Sequence, residues 1–182
     1  MPAPRGSRCA VPAPDRRAVV LAALGALLGG CGAPGLHGHH YRDSEAEYLV
    51  GDLGDDWRRL RLRDNDLAWR NAHAGAIVQM NATCDPFQDV PLSALTGHQL
   101  IGFTEREWKA QERIPLDGRE ALRSHVVASL DGVPRELLLV VLKKDYCTYD
   151  MALIAPAGDA FQATRPAFER FVEGFTTEVG SR

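Results

Sequence analysis

Residues 136–143 read Glu-Leu-Leu-Leu-Val-Val-Leu-Lys, a run of six apolar residues between two charged ones. Such a run is short for a helix and is typical of a strand that is buried on both faces at the centre of a sheet. Asp-Gly pairs at residues 117–118 and 131–132 supply tight turns before it. Working outward, the patterning predicts a four-stranded antiparallel meander over residues 108–116, 119–130, 136–143 and 147–154.

A hairpin and a further strand are predicted before the meander. Residues 57–63 alternate leucine with arginine at the period of two that marks a half-buried strand, and residues 67–70 return after a polar turn. Residues 75–84 repeat this alternation. Their side chains on the face that is expected to pack against the core are Val78, Met80, Ala82 and Cys84.

Two helices complete the predicted domain. Apolar residues at helical spacing over residues 90–104 indicate the first helix, which Gly97 and Gly102 weaken. The apolar stripe of a closing helix consists of Phe161, Phe168, Phe171, Val172 and Phe175. The fold class is therefore α+β, an antiparallel sheet packed by two helices in an α/β/α-like sandwich. We expect one domain over residues 57–176 and a C-terminal tail over residues 177–182.

The order of these elements resembles that of the PsbP and DcrB group of small exported proteins. The resemblance rests on the Asp-Gly turns of the meander and on a final helix that ends Phe171-Val-Glu-Gly-Phe175. It covers residues 57–176 and implies an α/β/α sandwich. It brings no catalytic signature that could be placed on residues of this chain.

The first 30 residues have the composition of an export signal. Four arginines and one aspartate precede an apolar run of about eleven residues at 18–28, well short of the roughly 20 that cross a bilayer. Leu28-Gly-Gly-Cys31 follows and resembles the lipobox of bacterial lipoproteins, which implies acylation of Cys31. The alternative is an ordinary cleaved signal with a chance cysteine.

Residues 31–56 are predicted to form a flexible tether, because their first part is rich in glycine and proline and lacks periodicity. His37, His39 and His40 could ligate a transition metal, but nothing in a tether would fix their geometry, so a solvated spacer is the alternative. The carboxylates of residues 52–56 lack the spacing of a calcium loop.

Two cysteines remain in the exported domain, Cys84 at the end of one predicted strand and Cys147 at the start of another. An even number of cysteines in an oxidising compartment favours a disulfide between them. Two free thiols are the competing interpretation. The chain has no Cys-x-x-Cys unit of the kind that redox enzymes use.

A basic strip is predicted on one face of the first strand of the hairpin. It consists of Arg58, Arg59, Arg61 and Arg63. Such a strip could contact acidic lipid headgroups or an acidic patch on a partner. It could also be the solvated face of an amphipathic strand that guards a sheet edge.

No catalytic or cofactor motif occurs in the chain. There is no Gly-x-Ser-x-Gly and no His-Glu-x-x-His, and Ser93, Ser124, His98 and His125 have no recognisable catalytic setting. Without the four arginines and one aspartate of residues 1–30, the chain has 17 basic and 23 acidic residues, a formal charge of −6. This balance argues against binding to nucleic acid.

The predicted function is that of a lipid-anchored, non-catalytic envelope protein that binds or assists another envelope component, with no cofactor. One alternative is a carrier of a small apolar ligand between helix and sheet, if the interior near Leu100, Trp108 and Phe168 is hollow. Another is a hydrolase whose site assembles from distant residues. The resemblance to bacterial lipoproteins implies the outer rather than the inner membrane, because Gly32 stands where many inner-membrane lipoproteins have a retaining aspartate.

Overall fold

The computed structural model describes residues 34–63, 65–85 and 89–180. It contains a three-stranded sheet, a seven-stranded antiparallel sheet and two helices, which confirms the predicted α+β class. The elements are β1 Gly35–His37, β2 His40–Arg42, β3 Glu47–Leu49, β4 Trp57–Leu60, β5 Leu67–Asn71, β6 Ala76–Cys84, α1 Leu92–His98, β7 Phe103–Leu116, β8 Arg119–Leu130, β9 Val133–Lys144, β10 Cys147–Pro156 and α2 Asp159–Glu173.

The large sheet has the strand order β4-β5-β6-β10-β9-β8-β7, so the apolar run of β9 lies inside it as predicted. Successive β9 side chains point to opposite faces. Leu138, Val140 and Leu142 pack with the phenylalanines of α2. Leu137 and Leu139 belong to a second cluster, which lies on the face that α1 covers. Helices on both faces of one sheet make an α/β/α-like sandwich.

Both Asp-Gly pairs form the predicted turns of the meander. Asp117 and Gly118 have φ of 48° and 73°, and Asp131 and Gly132 have 51° and 76°. Positive φ at both central residues is the requirement of a two-residue type I′ turn, which matches the twist of the flanking strands. The turns fix the register of β7 against β8 and of β8 against β9.

Three predicted boundaries are corrected. Helix α1 ends at His98 rather than near residue 104, since a turn follows it and Gly102 has a φ of 89° that a helix does not allow. Strand β7 consequently begins at Phe103 rather than at residue 108. Strand β4 ends at Leu60 rather than at residue 63.

The prediction of a flexible tether is wrong for residues 35–56. This segment contains the three-stranded sheet, and Tyr41, Tyr48, Val50 and Leu53 are buried. Tyr48 is fully buried, stacks on Tyr41 with 4.8 Å between ring centroids, and meets Tyr149 edge-on. The glycine-rich composition predicted an unfolded segment, but each of the buried tyrosine rings removes a large apolar area from water and so favours folding. The folded unit therefore begins well before residue 57.

The segment after α2 is also held to the fold. Leu49 and Thr176 exchange backbone hydrogen bonds of 2.8 and 3.2 Å. Thr177 donates from both its backbone N–H and its hydroxyl to Asp117. The predicted tail therefore does not begin at residue 177.

Candidate functional sites

Cys84 and Cys147 form a disulfide across neighbouring strands. Their positions are paired in the register of β6 and β10, and 63 positions of chain separate them. The structure therefore contains the predicted bond. It joins β6, the strand that follows the β4–β5 hairpin, to the last strand of the meander, so it is a structural crosslink within one sheet.

A buried ion pair fastens the β7–β8 turn to the end of the chain. The Asp117 carboxylate accepts a 2.9 Å hydrogen bond from Lys144 Nζ and a 2.7 Å bond from the Thr176 hydroxyl, besides the two from Thr177. Burial alone would raise the pKa of Asp117, but these donors outweigh it and hold the pKa below its usual value. Both oxygens of the carboxylate accept hydrogen bonds that hold the fold, one at Oδ1 and three at Oδ2.

His125 and Glu136 form a pair on the α2 face of the sheet. His125 Nε2 lies 2.7 Å from Glu136 Oε1, and its ring stacks on Phe161 at 5.0 Å. Glu136 Oε2 accepts a 2.9 Å hydrogen bond from the backbone N–H of Gly158 at the start of α2. The carboxylate thus satisfies one of the free donors that every helix N-terminus leaves.

The residues considered for a dispersed hydrolase site do not meet in the described part of the chain. Ser124 and His125 are successive residues of β8, so their side chains point to opposite faces of the sheet. The Ser124 Oγ accepts a 3.1 Å hydrogen bond from Gln111 Nε2. His98 lies at the end of α1, near Asp150. Ser93 lies at the start of α1. No Ser-His-carboxylate set is therefore assembled among these residues.

Asp150 is a carboxylate in the middle of the sheet under α1. It is paired in register with Asn81 of β6 and Val141 of β9, and Gln99 Nε2 donates to its Oδ1 at 3.3 Å. Burial raises the pKa of Asp150 to about 6, while the nearby His98 acts in the opposite direction. The sequence offered no signal for this group beyond one acid in an alternating strand.

An open groove of about 520 Å³ runs between α2 and the β7–β8 hairpin. Its floor is apolar and contains Leu138, Val140 and Phe168. Its rim carries the ion pair of Arg165 with Glu169 and also Arg123, which pairs with Glu112. On the opposite face, Leu100 is fully buried, and Trp108 is 47% exposed. Phe168, the third position where the sequence allowed a hollow interior, borders this groove.

The three histidines of the N-terminal segment lie in the β1–β2 hairpin. His37 is paired in register with His40, and His40 Nε2 lies 2.9 Å from Glu47 Oε1. Among the residues that the structure describes, no group of three or more His, Cys, Asp or Glu side chains could hold a metal ion. The nearby Asp52 accepts a hydrogen bond from the Gly54 N–H within its own loop.

The arginines do not form the predicted strip on one face. Arg58 and Arg59 are successive residues of β4, so their side chains point to opposite faces. The Arg59 Cζ lies 5.4 Å from the centroid of the Trp69 ring. Burial lowers the pKa of Arg59 below its usual value. Arg61 and Arg63 lie beyond the end of the strand. The structure adds a basic neighbour that the prediction missed, because Arg70 of β5 is paired directly with Arg58.

Exposed apolar side chains gather where β7, β8 and β9 extend beyond α1. Leu130 is paired with Phe103 and with Val133, and Trp108 is paired with Val126, which places all of them on the α1 face. Ile101 lies in the turn before Phe103. The exposed fractions are 75% for Ile101, 47% for Trp108, 36% for Leu130 and 47% for Val133. We call these four residues the apolar end.

Cys31 and the whole predicted signal segment lie outside the described residues. None of the helices that the structure describes is long and apolar enough to span a bilayer.

Comparison with solved structures identifies the architecture as a PsbP-like α/β/α sandwich. The cyanobacterial PsbP protein CyanoP of Synechocystis superposes with a TM-score of 0.53 at 17% identity, over 81% of this chain and 97% of its own. LpqN of Mycobacterium tuberculosis, described as involved in cell envelope biogenesis, gives 0.50 at 16% identity, over 74% and 85%. No protein-family model and no curated protein sequence matches this chain. The likeness is thus one of fold, and it confirms the architecture that the sequence resemblance implied.

Proposed function

We propose that this protein is a lipid-anchored, non-catalytic accessory component of the bacterial cell envelope that binds another envelope protein through its apolar end. The observation that carries the proposal is the exposure of Ile101, Trp108 and Val133 on one side of a well-packed sheet. Exposed apolar side chains that lie on one side of a domain favour a binding surface there, and tryptophan is enriched among the residues that dominate protein interfaces.

The location in the proposal rests on three supports. The lipobox-like Leu28-Gly-Gly-Cys31 supplies an acylation site, and the several acyl chains of a processed lipoprotein attach it durably to a membrane. LpqN offers an example of the same fold in a protein involved in cell envelope biogenesis. Gly32 in place of aspartate favours the outer membrane.

The test is crosslinking and co-purification from detergent-solubilised envelopes with matched surface variants. Trp108→Ser with Val133→Ser removes two of the four residues of the apolar end. Tyr146→Asn removes an aromatic side chain at the β9–β10 turn that is 79% exposed, and asparagine tolerates the positive φ of that position. We expect one stoichiometric partner to be lost from the double variant and retained by Tyr146→Asn. Equal retention by both variants contradicts binding through the apolar end.

A second candidate function, transport of a small apolar ligand, is favoured by the groove beside Phe168. An apolar floor with charged residues at the rim suits an amphiphile whose tail enters and whose head stays at the opening. Native mass spectrometry of protein extracted from envelopes would show such a ligand as an added mass. Ile114→Trp, which fills the rim from β7, should abolish the added mass without affecting partner binding.

A further inference from the structure

The folded unit begins beside the β4–β5 hairpin. Strand β1 starts at Gly35, and the next residue, Leu36, lines a cavity of about 170 Å³ together with Trp57 of β4 and Trp69 of β5. The chain therefore enters the fold next to the strand that forms one edge of the large sheet. An attachment of the chain upstream of Gly35 would therefore keep this edge of the sheet close to the point of attachment.

Only a short stretch of chain separates the proposed lipid anchor from the folded unit. Cys31 precedes Gly35 by four residues, and four extended residues span at most about 14 Å. The sequence predicted a tether of 26 residues, which would have allowed the domain to lie far from the membrane in any orientation. With β1 to β3 folded, an acylated Cys31 would hold the hairpin within about two Debye lengths of the lipid surface at physiological salt.

The β4–β5 hairpin, residues 57–71, contains five arginines and two aspartates, although the exported chain as a whole is acidic. Five arginines of the hairpin are exposed, and none of them has a carboxylate within 4.0 Å among the residues that the structure describes. They are Arg58, Arg59, Arg61, Arg63 and Arg70. Elsewhere on the described surface, Arg113, Arg123 and Arg165 each pair with a glutamate, whereas Arg119 and Arg170 do not pair with a carboxylate.

Two features of the hairpin indicate an external anionic surface. Arg58 and Arg70 stand directly opposite each other, an arrangement of like charges that costs stability unless a counter-charge covers both. Leu62, between Arg61 and Arg63, is 45% exposed, and an apolar side chain flanked by cations suits the boundary between headgroups and acyl chains. If the hairpin only had to prevent pairing with strands of other molecules, its charged arginines would be sufficient, and an exposed Leu62 would not be needed.

We propose that the β4–β5 hairpin rests on anionic lipid headgroups of the membrane that holds the anchor, with Arg58, Arg61, Arg63 and Arg70 binding phosphate groups and Leu62 entering the interface. This inference rests on the proposed acylation of Cys31. It orients the domain with β4 toward the membrane. The apolar end, at the opposite edge of the sheet around β7, β8 and β9, then points away from the membrane and is accessible to a partner.

The experiment uses the full lipoprotein, purified from membranes and reconstituted into vesicles of pure phosphatidylcholine or of phosphatidylcholine with 30% phosphatidylglycerol, a composition of roughly the anionic content that polybasic segments recognise. Hydrogen exchange of residues 57–71 is compared between the two vesicles. We expect slower exchange of this peptide on the anionic vesicles and loss of that protection at high salt, since exposed charges are then screened.

Matched variants separate specific contact from general charge. Arg61→Gln with Arg63→Gln removes two cations that have no hydrogen bond within the described fold, and each substitution is expected to reduce the equilibrium constant for docking about fivefold. Arg113→Gln with Arg119→Gln makes the same change of charge on the β7–β8 hairpin and should leave the protection intact. Equal effects of the two pairs, or equal exchange on both vesicles, would overturn the inference.

Fatty-acid labelling of Cys31 in the same preparations distinguishes the two proposals. Labelled Cys31 with an unprotected hairpin overturns the membrane contact alone and leaves the accessory lipoprotein standing. An unlabelled Cys31 removes the anchor and both proposals with it. Because the vesicles contain no other protein, a hairpin that binds only an acidic protein patch would remain unprotected and would count against the inference.

Discussion

Gly51 and Gly174 lie against each other where the N-terminal segment crosses the end of helix α2, too close for either residue to carry a side chain. A Cβ at Gly174 would lie 2.6 Å from the Gly51 nitrogen, and a Cβ at Gly51 would lie 2.9 Å from the Phe171 Cα. The Gly51 N–H donates a 3.0 Å hydrogen bond to the Phe171 carbonyl oxygen at the same crossing. The contact holds the segment that follows the first three strands against the end of helix α2.

Substitution at this crossing should destabilise the whole domain. Gly51→Ala and Gly174→Ala each force two backbone segments apart, and we expect a loss of about 1–3 kcal/mol in the free energy of unfolding. Gly97→Ala is the matched control, because its Cβ would meet open space within helix α1 and alanine is the better helix former by about 1 kcal/mol. Urea unfolding of the three variants measures the effect. Losses at Gly51 or Gly174 no larger than at Gly97 would show that the crossing is not tightly packed.

The crossing also explains why the tether prediction failed. In the sequence, Gly51 and Gly54 look like the loosening glycines of a linker, yet Gly51 is required because another backbone approaches it. Strands of three residues, such as Glu47–Leu49, are too short for alternation to be visible. Their stability comes from Tyr41 and Tyr48 packing on residues more than 100 positions away, such as Tyr149. The local pattern of apolar and polar residues does not reveal contacts between residues so far apart in the sequence.

Asp117→Asn tests the carboxylate that holds the C-terminal segment. Asparagine keeps the positive φ of the turn but loses the charge opposite Lys144, so we expect a loss of about 2–3 kcal/mol at pH 7. The donors lower the folded pKa of Asp117 below the unfolded value of about 3.9. Its contribution is therefore complete above pH of about 4 and is lost as the pH falls through the folded pKa.

The measurement is unfolding of the parent and the variant as a function of pH. The difference between them should be constant near neutrality and shrink below pH of about 4. Asp131→Asn, in the other Asp-Gly turn, is exposed and serves as the control with little expected change. A pH-independent difference would assign the effect to packing rather than to the ion pair.

Asp150→Asn should stabilise the protein at neutral pH, whereas Asp117→Asn should destabilise it. Because burial raises the folded pKa of Asp150 to about 6, the parent loses stability as the pH rises from the unfolded pKa of about 3.9 through that value. Asparagine retains a partner for Gln99 without the charge. The variant should match the parent near pH 4 and exceed it by roughly 1–3 kcal/mol at pH 7. A variant that is less stable at pH 7 would mean that the charged carboxylate has a stabilising counter-charge.

The regular part of the fold was more accessible from the sequence than its sites. The two faces of β9 and the two Asp-Gly turns follow from local rules of patterning and turn chemistry, and the structure has both. The arginines illustrate the limit. Strand β4 ends at Leu60, so the alternation that continued to residue 63 in the sequence did not put Arg61 and Arg63 on a common face. The neighbour of Arg58 is Arg70, which strand pairing supplies and sequence order does not.

The Cys84–Cys147 bond gives the last prediction. It closes a loop of 63 positions, for which the chain-entropy relation gives roughly 4 kcal/mol, an upper figure because the unfolded chain keeps some structure. Cys84→Ala with Cys147→Ala removes both partly buried sulfurs without leaving a free thiol. The double variant should unfold at clearly lower urea than the parent, by up to about that free energy. The parent under strong reductant should approach the variant.

Acylation and membrane attachment should be unchanged in the double variant, because Cys31 is retained and the bond lies within the sheet between β6 and β10. Peptide mapping without reductant should show one linked pair that contains Cys84 and Cys147. Quantitative alkylation of both residues in the native, unreduced protein would contradict the bond. The same variant would then unfold like its parent, since the unfolded chain would have had no crosslink to lose.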